Sequence, residues 1–277
     1  MLVEVLILFL ALCSVNLNTN VFGKEFSFCD PDLCGGKRNA HIACNNYREF
    51  ARSCPRDASI LDVSPFKRFF VQAHNSRRNF VALGLLPGFE PAKRMATMVW
   101  DDELAYLAEL NLRKCHLSHD QCIHTYRFRN SGQCLAAFGI QKGKRIHLVN
   151  DIIEPTLSGW FRESNYIDSS YVDKPPLYRS DLKRWGHFLE IVVDRNTHVG
   201  CAVMTFTDPK YKDFYIIRMA CNYAALYDGS SPIYEKGETA SSCAFGSNPD
   251  YPGLCSLHEY FDINYDEVYG PRYDSLR

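Results

Sequence analysis

The order of the elements predicts that this chain of 277 residues folds as an α+β protein, an αβα sandwich with helices layered on a β-sheet. Helical periodicity dominates residues 65–166, whereas β-branched and aromatic runs concentrate in residues 187–224. Helices and strands do not alternate regularly, which argues against a parallel α/β fold. A hydrophobic share of 46% and a charged share of 23% are those of a globular protein with a core.

The chain opens with an apolar run, "MLVEVLILFLALCSV". It is too short for a good membrane span but has the length of a signal-peptide core. We therefore interpret residues 1–23 as a secretory signal, cut between Cys13 and Lys24, with a retained anchor as the alternative. No second apolar segment approaches 18 residues, so the mature chain is expected to be soluble, extracellular and without a transmembrane span.

Cysteine usage indicates the same compartment, since 12 cysteines in one chain are typical of proteins in which disulfides persist. Loss of Cys13 with the signal leaves 11, so one must stay unpaired. Short Cys-x-x-Cys pairs, which a zinc knuckle requires, do not occur in the sequence. Four of the cysteines fall in residues 24–64, where apolar stretches are few, and this segment is expected to be an irregular arm held to the domain by disulfides.

Three helices are predicted. Ser64 and Pro65 begin "SPFKRFFVQAHNSRRNFVALG", with a cap and a proline at the first helical position. Asp101 or Asp102 can cap the apolar stripe of "ELAYLAELNLRKC". The third helix, "PTLSGWFRESNY", is expected to be interrupted by Pro155.

Three strands are predicted after the helices: "HFLEIVV", "HVGCAVMTF" and "FYIIRMACNYA". They are rich in β-branched and aromatic residues, and the turn signals "DRN" and "DPKYKD" separate them. His187 stands at the start of the first strand. A lone histidine in that place is either a structural residue or part of a site whose partners come from elsewhere.

Charge excludes nucleic acid as a partner. Lysine and arginine number 31 against 32 acids, so no long-range field favours an anionic polymer or membrane. The run "QKGKR" has no interleaved aromatic residues and is interpreted as a solvated loop.

Six ordered segments resemble the CAP superfamily of cysteine-rich secretory proteins, antigen five and plant pathogenesis-related proteins, and antigen five of insects in particular. The segments are "QAHNSRR", "PAKRMATMVWDDELAYLAE", "CHLSHDQC", "GQCLA", "RWGHFLEIVVDRNTHVGCAV" and "MACNYA". The resemblance implies a three-layer αβα sandwich over residues 65–225, the CAP or SCP domain. It also implies a cysteine-rich extension over residues 24–64 and leaves residues 226–277 as a C-terminal extension.

The resemblance also implies a central cleft built from two histidines and two acidic or amide residues. The matching positions are His119, Gln133, Glu163 and His187. Two imidazoles and a carboxylate could hold a weakly bound zinc or magnesium ion, although no cofactor is required. Gln133 stands where most relatives have glutamate, so a glutamate there is expected to tighten metal binding.

The antigen-five pattern further implies which cysteines are bonded. The expected pairs are Cys29–Cys44, Cys34–Cys122, Cys54–Cys115 and Cys201–Cys221, with Cys243–Cys255 as the remaining pair. Cys134 is then the free thiol, expected to be a small buried hydrophobe.

The function expected from the resemblance is that of a secreted, non-enzymatic monomer that binds a lipid, a small amphiphile or an extracellular protein through its cleft and loops. A metal-dependent hydrolase or protease using His119, Glu163 and His187 is the alternative. The sequence has no "HExxH" or "GxSxG" motif, which disfavours that alternative. A third hypothesis makes Cys134 a nucleophile activated by a histidine.

Overall fold

The computed structural model describes residues 27–174, 179–229 and 231–264. The expected signal segment, residues 1–23, and the end of the C-terminal extension lie outside the described residues. Four helices and seven strands follow one another in the described part of the chain. In chain order they are β1 Ser59–Leu61, α1 Lys67–Ala82, β2 Val99–Trp100, α2 Asp102–Leu112, β3 Gly132–Gln141, α3 Glu154–Phe161, α4 Arg179–Val192, β4 His198–Thr207, β5 Phe214–Tyr223, β6 Ser247–Asn248 and β7 Tyr251–Cys255.

The centre of the molecule is a five-stranded sheet in the order β1-β4-β5-β3, with β2 paired in parallel to β4. The other pairings are antiparallel, and β3 and β5 pair along their whole length, from Gly132↔Tyr223 to Gln141↔Phe214. Helices cover both faces. Helix α2 packs on one face, against side chains such as Met204 of β4. Helices α1, α3 and α4 pack on the other, so the predicted αβα sandwich is confirmed.

The close approach of α2 to the sheet depends on Gly200 in β4. A Cβ atom at this position would lie 2.2 Å from the backbone N of Ala105 and 2.4 Å from the backbone O of Asp101. Both atoms belong to the first turn of α2, where the backbone cannot move aside. The glycine therefore sets the spacing that brings the loop after α2 towards the end of the sheet.

Helix α2 begins where the sequence predicts, but α1 begins at Lys67, and the predicted Ser64 cap is wrong because Ser64 is the first residue of a 3₁₀ turn that has no side-chain cap. A 3₁₀ turn over Ser64–Phe66 precedes α1, and Pro65 stands in its first turn. Asp101 caps α2, since its side chain accepts a hydrogen bond from the backbone N of Leu104 at 2.8 Å. Pro155 does not interrupt α3 but stands in its first turn, where a missing N–H costs nothing.

The segment "HFLEIVV" was predicted to be a strand, and that prediction is wrong: the segment forms the second half of helix α4. Its buried apolar residues follow helical spacing, with Trp185, Phe188, Leu189 and Val192 on one face. The β-branched residues at its end suggested a strand by composition alone. The predicted strands "HVGCAVMTF" and "FYIIRMACNYA" are confirmed as β4 and β5.

The C-terminal end of α4 is fixed by the buried Arg78 of α1. Its guanidinium donates to the backbone O of Ile191 at 2.8 Å and of Val193 at 2.7 Å, and also to Ala96 and Asp194. Burial lowers the pKa of this arginine to about 9, which leaves it charged at neutral pH. Four carbonyl groups thus compensate one buried cation and lock α4 against α1.

The structure has five disulfides and one free, buried cysteine among the described residues, Cys134. The bonded pairs are Cys29–Cys44, Cys34–Cys122, Cys54–Cys115, Cys201–Cys221 and Cys243–Cys255. Two of them join the N-terminal extension to the loop after α2. That loop carries His119, so the extension holds one wall of the cleft.

Candidate functional site

The cleft lies at the end of the sheet where β3 begins and β5 ends. Gln133 of β3 stands beside Asn222 of β5, and the amide nitrogen of Gln133 donates to Asn222 Oδ1 at 3.0 Å. His119 comes from the loop after α2, Glu163 from the 3₁₀ turn after α3, and His187 from α4. Hydrogen bonds join these four segments in two pairs, His119 with Gln133 and Glu163 with His187.

His187 is held by a carboxylate and an aromatic ring. Its Nδ1 lies 2.6 Å from Glu163 Oε1, while Glu163 Oε2 accepts from the backbone N of His187 at 3.0 Å and of Phe188 at 3.2 Å. The imidazole stacks on Trp160, with ring centroids 5.1 Å apart. Because Glu163 accepts the Nδ1 proton, Nε2 is the nitrogen left for a ligand.

His119 is held in the same way, but by an amide. Its Nδ1 lies 3.2 Å from Gln133 Oε1. The Gln133 amide is oriented by Asp120, whose Oδ2 accepts from Gln133 Nε2 at 2.8 Å. Asp120 is buried and also pairs with Lys114 at 2.6 Å. The carbonyl oxygen of Gln133 therefore faces His119, and Nε2 of this imidazole is also left for a ligand.

The two imidazoles are near enough for the charge of His187 to act on His119. Desolvation lowers the pKa of His119, the hydrogen bond that its ring donates to Gln133 raises it, and the charge of His187 lowers it further. A lowered pKa keeps His119 neutral at pH 7, which is the form that can bind a metal ion or accept a hydrogen bond.

The arrangement changes the ligand set that the sequence suggests. Among the described residues, no three His, Cys, Asp or Glu side chains form a group able to hold a metal ion. Both carboxylate oxygens of Glu163 are already hydrogen-bonded within α4, so Glu163 supports His187 instead of offering a ligand atom. Two imidazole nitrogens with oriented rings remain as candidate ligands.

The structure also explains why glutamine occupies position 133. A glutamate there would place a second carboxylate against Asp120, at the distance of the present 2.8 Å hydrogen bond. Lys114 is the cation that pairs with Asp120. Gln133→Glu alone would therefore set like charges against each other at this distance, which opposes the gain in metal binding expected from a carboxylate.

A buried polar layer lies beneath the cleft. His74 Nδ1 hydrogen-bonds the backbone O of Phe70 at 2.8 Å, and its Nε2 meets the Tyr223 hydroxyl at 3.0 Å. Burial lowers the pKa of His74 to about 4, so it is a neutral structural residue. The hydroxyl of Tyr223 also hydrogen-bonds the thiol of Cys134.

The environment of Cys134 argues against the nucleophile hypothesis. Burial raises the pKa of this thiol well above its usual value, and the negative charges of Glu190 and Glu163 raise it further. A nucleophilic cysteine needs the opposite environment, with a cation nearby and access to solvent. Cys134 instead fills space under the cleft, with 1% of its surface exposed.

Sequence reasoning missed two residues that shape the site, Asp120 and Glu190. Asp120 is next to His119 in "SHD", so the signal for it was an acid adjacent to a site residue. Glu190 lies three residues after His187 and is buried beside Gly132, where a Cβ would lie 2.2 Å from its Oε2. With "HFLEIVV" interpreted as a strand, Glu190 could not be placed under the cleft.

The chain is similar in sequence to known proteins. The model of CAP, described as the cysteine-rich secretory protein family, matches residues 71–223. Venom allergen-1 of Aedes albopictus is 38% identical over 241 residues, which cover 84% of this chain and 88% of the relative. Antigen 5 like allergen Cul n 1 of Culicoides nubeculosus is 38% identical over 201 residues, which cover 69% of this chain and 88% of the relative.

A solved structure supports the fold. The crystal structure of Na-ASP-1 superposes with a TM-score of 0.52 at 25% identity, covering 75% of this chain and 50% of that chain. The two allergens and this structure are what the chain is similar to in sequence and architecture.

Proposed function

Because this chain belongs to the CAP family, as an antigen 5-like member, we propose that it is a secreted, non-enzymatic binding protein. Its cleft takes the polar group of a small amphiphile, a lipid or a protein side chain, or a weakly held zinc or magnesium ion, through His119 and His187. No resident cofactor is required for this function.

The observation that carries the proposal is how the cleft side chains are bonded. Glu163 is engaged by His187 and two backbone N–H groups, and Gln133 by His119, Asp120 and Asn222. What remains for an incoming group is the pair of imidazole Nε2 atoms. Glu163 is already engaged by His187, and Cys134 is buried with a raised pKa, so neither is a free carboxylate base or an activated nucleophile.

Secretion is supported by the redox chemistry of the chain. Five disulfides persist in an oxidising compartment, and the similar insect proteins are named as venom allergens. No helix in the described part of the chain has both the length and the apolar character that a membrane crossing needs.

A divalent cation in the cleft would have two imidazole nitrogens as its protein ligands. A bound cation would supply Lewis acidity to a phosphate or carboxylate headgroup and so hold it in the cleft. The protein would contribute the Nε2 atoms of His119 and His187 and the tautomers that Gln133 and Glu163 impose. Both imidazoles must be neutral to bind, so affinity should fall as acid protonates them.

Calorimetric titration of zinc tests this reading of the cleft. His119→Ala and His187→Ala should each abolish binding, whereas Glu163→Gln should weaken it about tenfold, as expected for a residue that orients a ligand. His258→Ala is the matched control, because His258 is exposed and lies in the C-terminal extension. Binding by His187→Ala equal to that of wild type would refute the assigned role of the cleft.

Native mass spectrometry of the protein purified from its own source tests the ligand class directly. A retained lipid or metal ion adds mass to the 31.8 kDa chain, less its signal segment. A mass equal to that of the disulfide-bonded polypeptide would favour a protein partner over a stored small molecule.

The alternative function is that of a metal-dependent hydrolase, which the His187–Glu163 pair favours. An imidazole with its Nδ1 on a carboxylate at 2.6 Å has the geometry of an oriented general base. Peptide and ester substrates of broad specificity should show no zinc-dependent turnover. Turnover that Glu163→Gln removes would establish this function and refute the non-enzymatic proposal.

A further inference from the structure

The sheet carries a second feature at the end opposite to the cleft. The loop that contains "QKGKR" follows β3, and the loop that contains "DPKYKD" precedes β5. They lie side by side, because Gln141 pairs with Phe214 and the backbone N of Lys142 donates to the backbone O of Asp213 at 2.8 Å. We call residues 141–147 and 208–215 the basic tip. The sequence places these basic and aromatic residues about seventy positions apart, and the fold brings them together.

Most cations of the basic tip face solvent. Four are exposed and make no ion pair within the described residues: Lys144, Arg145, Lys210 and Lys212. Lys142 is half-buried and lies over Tyr215, with Nζ 5.6 Å from the ring centroid. Four carboxylates lie nearby, on Asp57, Asp151, Asp208 and Asp213, and the first three accept backbone hydrogen bonds. Five cations against four carboxylates leave a local excess of one positive charge.

Aromatic rings are exposed among these cations. Tyr211 is 47% exposed and Phe214 is 39% exposed. The Nζ of Lys210 lies 5.4 Å from the centroid of the Tyr211 ring. The Phe214 ring packs against Gly139, where a Cβ atom would lie 3.1 Å from the ring, so the missing side chain of the glycine lets the ring lie in this position. The tip therefore presents oriented rings and charges together.

We propose that the basic tip binds the surface of a bilayer that contains anionic phospholipid. Lysine and arginine near such a surface are attracted to its headgroups, and aromatic rings partition into the interfacial region. A sulfated polysaccharide would use the cations but offers no apolar layer for Tyr211 and Phe214, so the exposed rings favour the bilayer. The surface is independent of the cleft, since β3 has 10 residues and spans about 30 Å between them.

Vesicle co-sedimentation tests the proposal with the disulfide-bonded mature protein. Wild type should bind phosphatidylcholine vesicles that contain about one third phosphatidylserine and should not bind vesicles of phosphatidylcholine alone. It should dissociate from the phosphatidylserine vesicles as the salt concentration is raised. Lys144→Glu with Arg145→Glu should lower partitioning at least thirtyfold, since each cation near an anionic bilayer favours binding about fivefold. Tyr211→Ala should lower it several-fold with all charges intact.

The matched control is Lys37→Glu with Arg38→Glu. These exposed residues follow Cys34, which the Cys34–Cys122 disulfide joins to the cleft end of the molecule, and the charge change is the same. Unchanged binding by the control supports the basic tip. If the control lost as much binding as Lys144→Glu with Arg145→Glu, the loss would be an effect of net charge alone and the proposal would be overturned. Failure of wild type to bind phosphatidylserine vesicles would also overturn it. The proposal would also be overturned if heparin displaced wild type and Tyr211→Ala from the vesicles equally well. The partner would then be a polysaccharide, which makes no use of the ring.

Discussion

The buried carboxyl of Glu190 should make the stability of this protein depend on pH, and Glu190→Gln should remove that dependence. Glu190 is 6% exposed and lies in α4 beneath the cleft. The backbone N of Tyr227 donates to Oε1 at 3.4 Å, while Oε2 has no hydrogen-bond partner among the described residues. Burial raises the pKa of this carboxyl to about 8, against its usual 4.5, although the charge of Arg195 partly opposes the shift. Glutamine has nearly the same volume, so the substitution leaves no cavity.

The sign follows from proton binding. Between pH 4.5 and 8 the folded protein retains a proton on Glu190 that the unfolded chain releases, so the free energy of unfolding falls as pH rises. The interval of about 3.5 pH units corresponds to a loss on the order of 5 kcal/mol, at about 1.4 kcal/mol per unit. Glutamine does not titrate. The stability of Glu190→Gln relative to wild type should therefore grow with pH across this range.

The assay is urea unfolding of both proteins at pH 5, 6, 7 and 8 with the disulfides intact. Other buried groups also titrate, among them Asp194, whose pKa burial raises to about 6. Their contributions are common to both proteins and cancel in the difference. Glu238→Gln is the control, since Glu238 is exposed, and it should track wild type. Parallel profiles for wild type and Glu190→Gln would refute the assignment of a buried, protonated carboxyl.

Two further outcomes are expected at the cleft and beneath it. Gln133→Glu should lower the midpoint of thermal unfolding because its carboxylate would face Asp120. Adding Asp120→Asn to this variant should restore the midpoint. Independent, additive effects of the two substitutions would contradict the contact. Alkylation of the unfolded, unreduced mature protein should add one label, at Cys134, and the folded protein should take up none on the same timescale because the thiol is buried. Two or more labels by mass spectrometry would show that the disulfide set differs.

The parts of the fold that could be predicted are those where local sequence and tertiary contacts agree. Asp101 caps α2, and the strands β4 and β5 lie where β-branched and aromatic residues between turn signals predicted them. Helix α4 was mistaken because Ile191, Val192 and Val193 favour a strand by propensity, whereas packing against α1 and the clamp by Arg78 impose a helix. Strand β3 was not predicted, since its alanines and glycines carry no strand signal and its place is fixed by pairing with β5.

The cleft residues came from the resemblance and not from local pattern, because four segments distant in the chain supply them. Their roles could not be assigned before the contacts were known. A glutamate beside a histidine can be a metal ligand or a support, and only the bonds of Glu163 to the backbone of α4 decide between these. Asp120 and Glu190 escaped notice for the same reason, since their importance lies in contacts across layers of the sandwich.

The excess of charge at the basic tip shows why overall composition could not exclude a membrane surface. The whole chain has a formal net charge of −1, which produces no long-range attraction to anionic lipid. Screening at physiological salt limits electrostatic attraction to about 8 Å, however, so a bilayer in contact with Lys144 and Arg145 responds to the tip alone. Acids at the other end of β3, such as Asp120 with its partner Lys114, lie several screening lengths away. A protein of nearly zero net charge can therefore hold an anionic surface at one end of its sheet while the cleft at the other end stays open to its ligand.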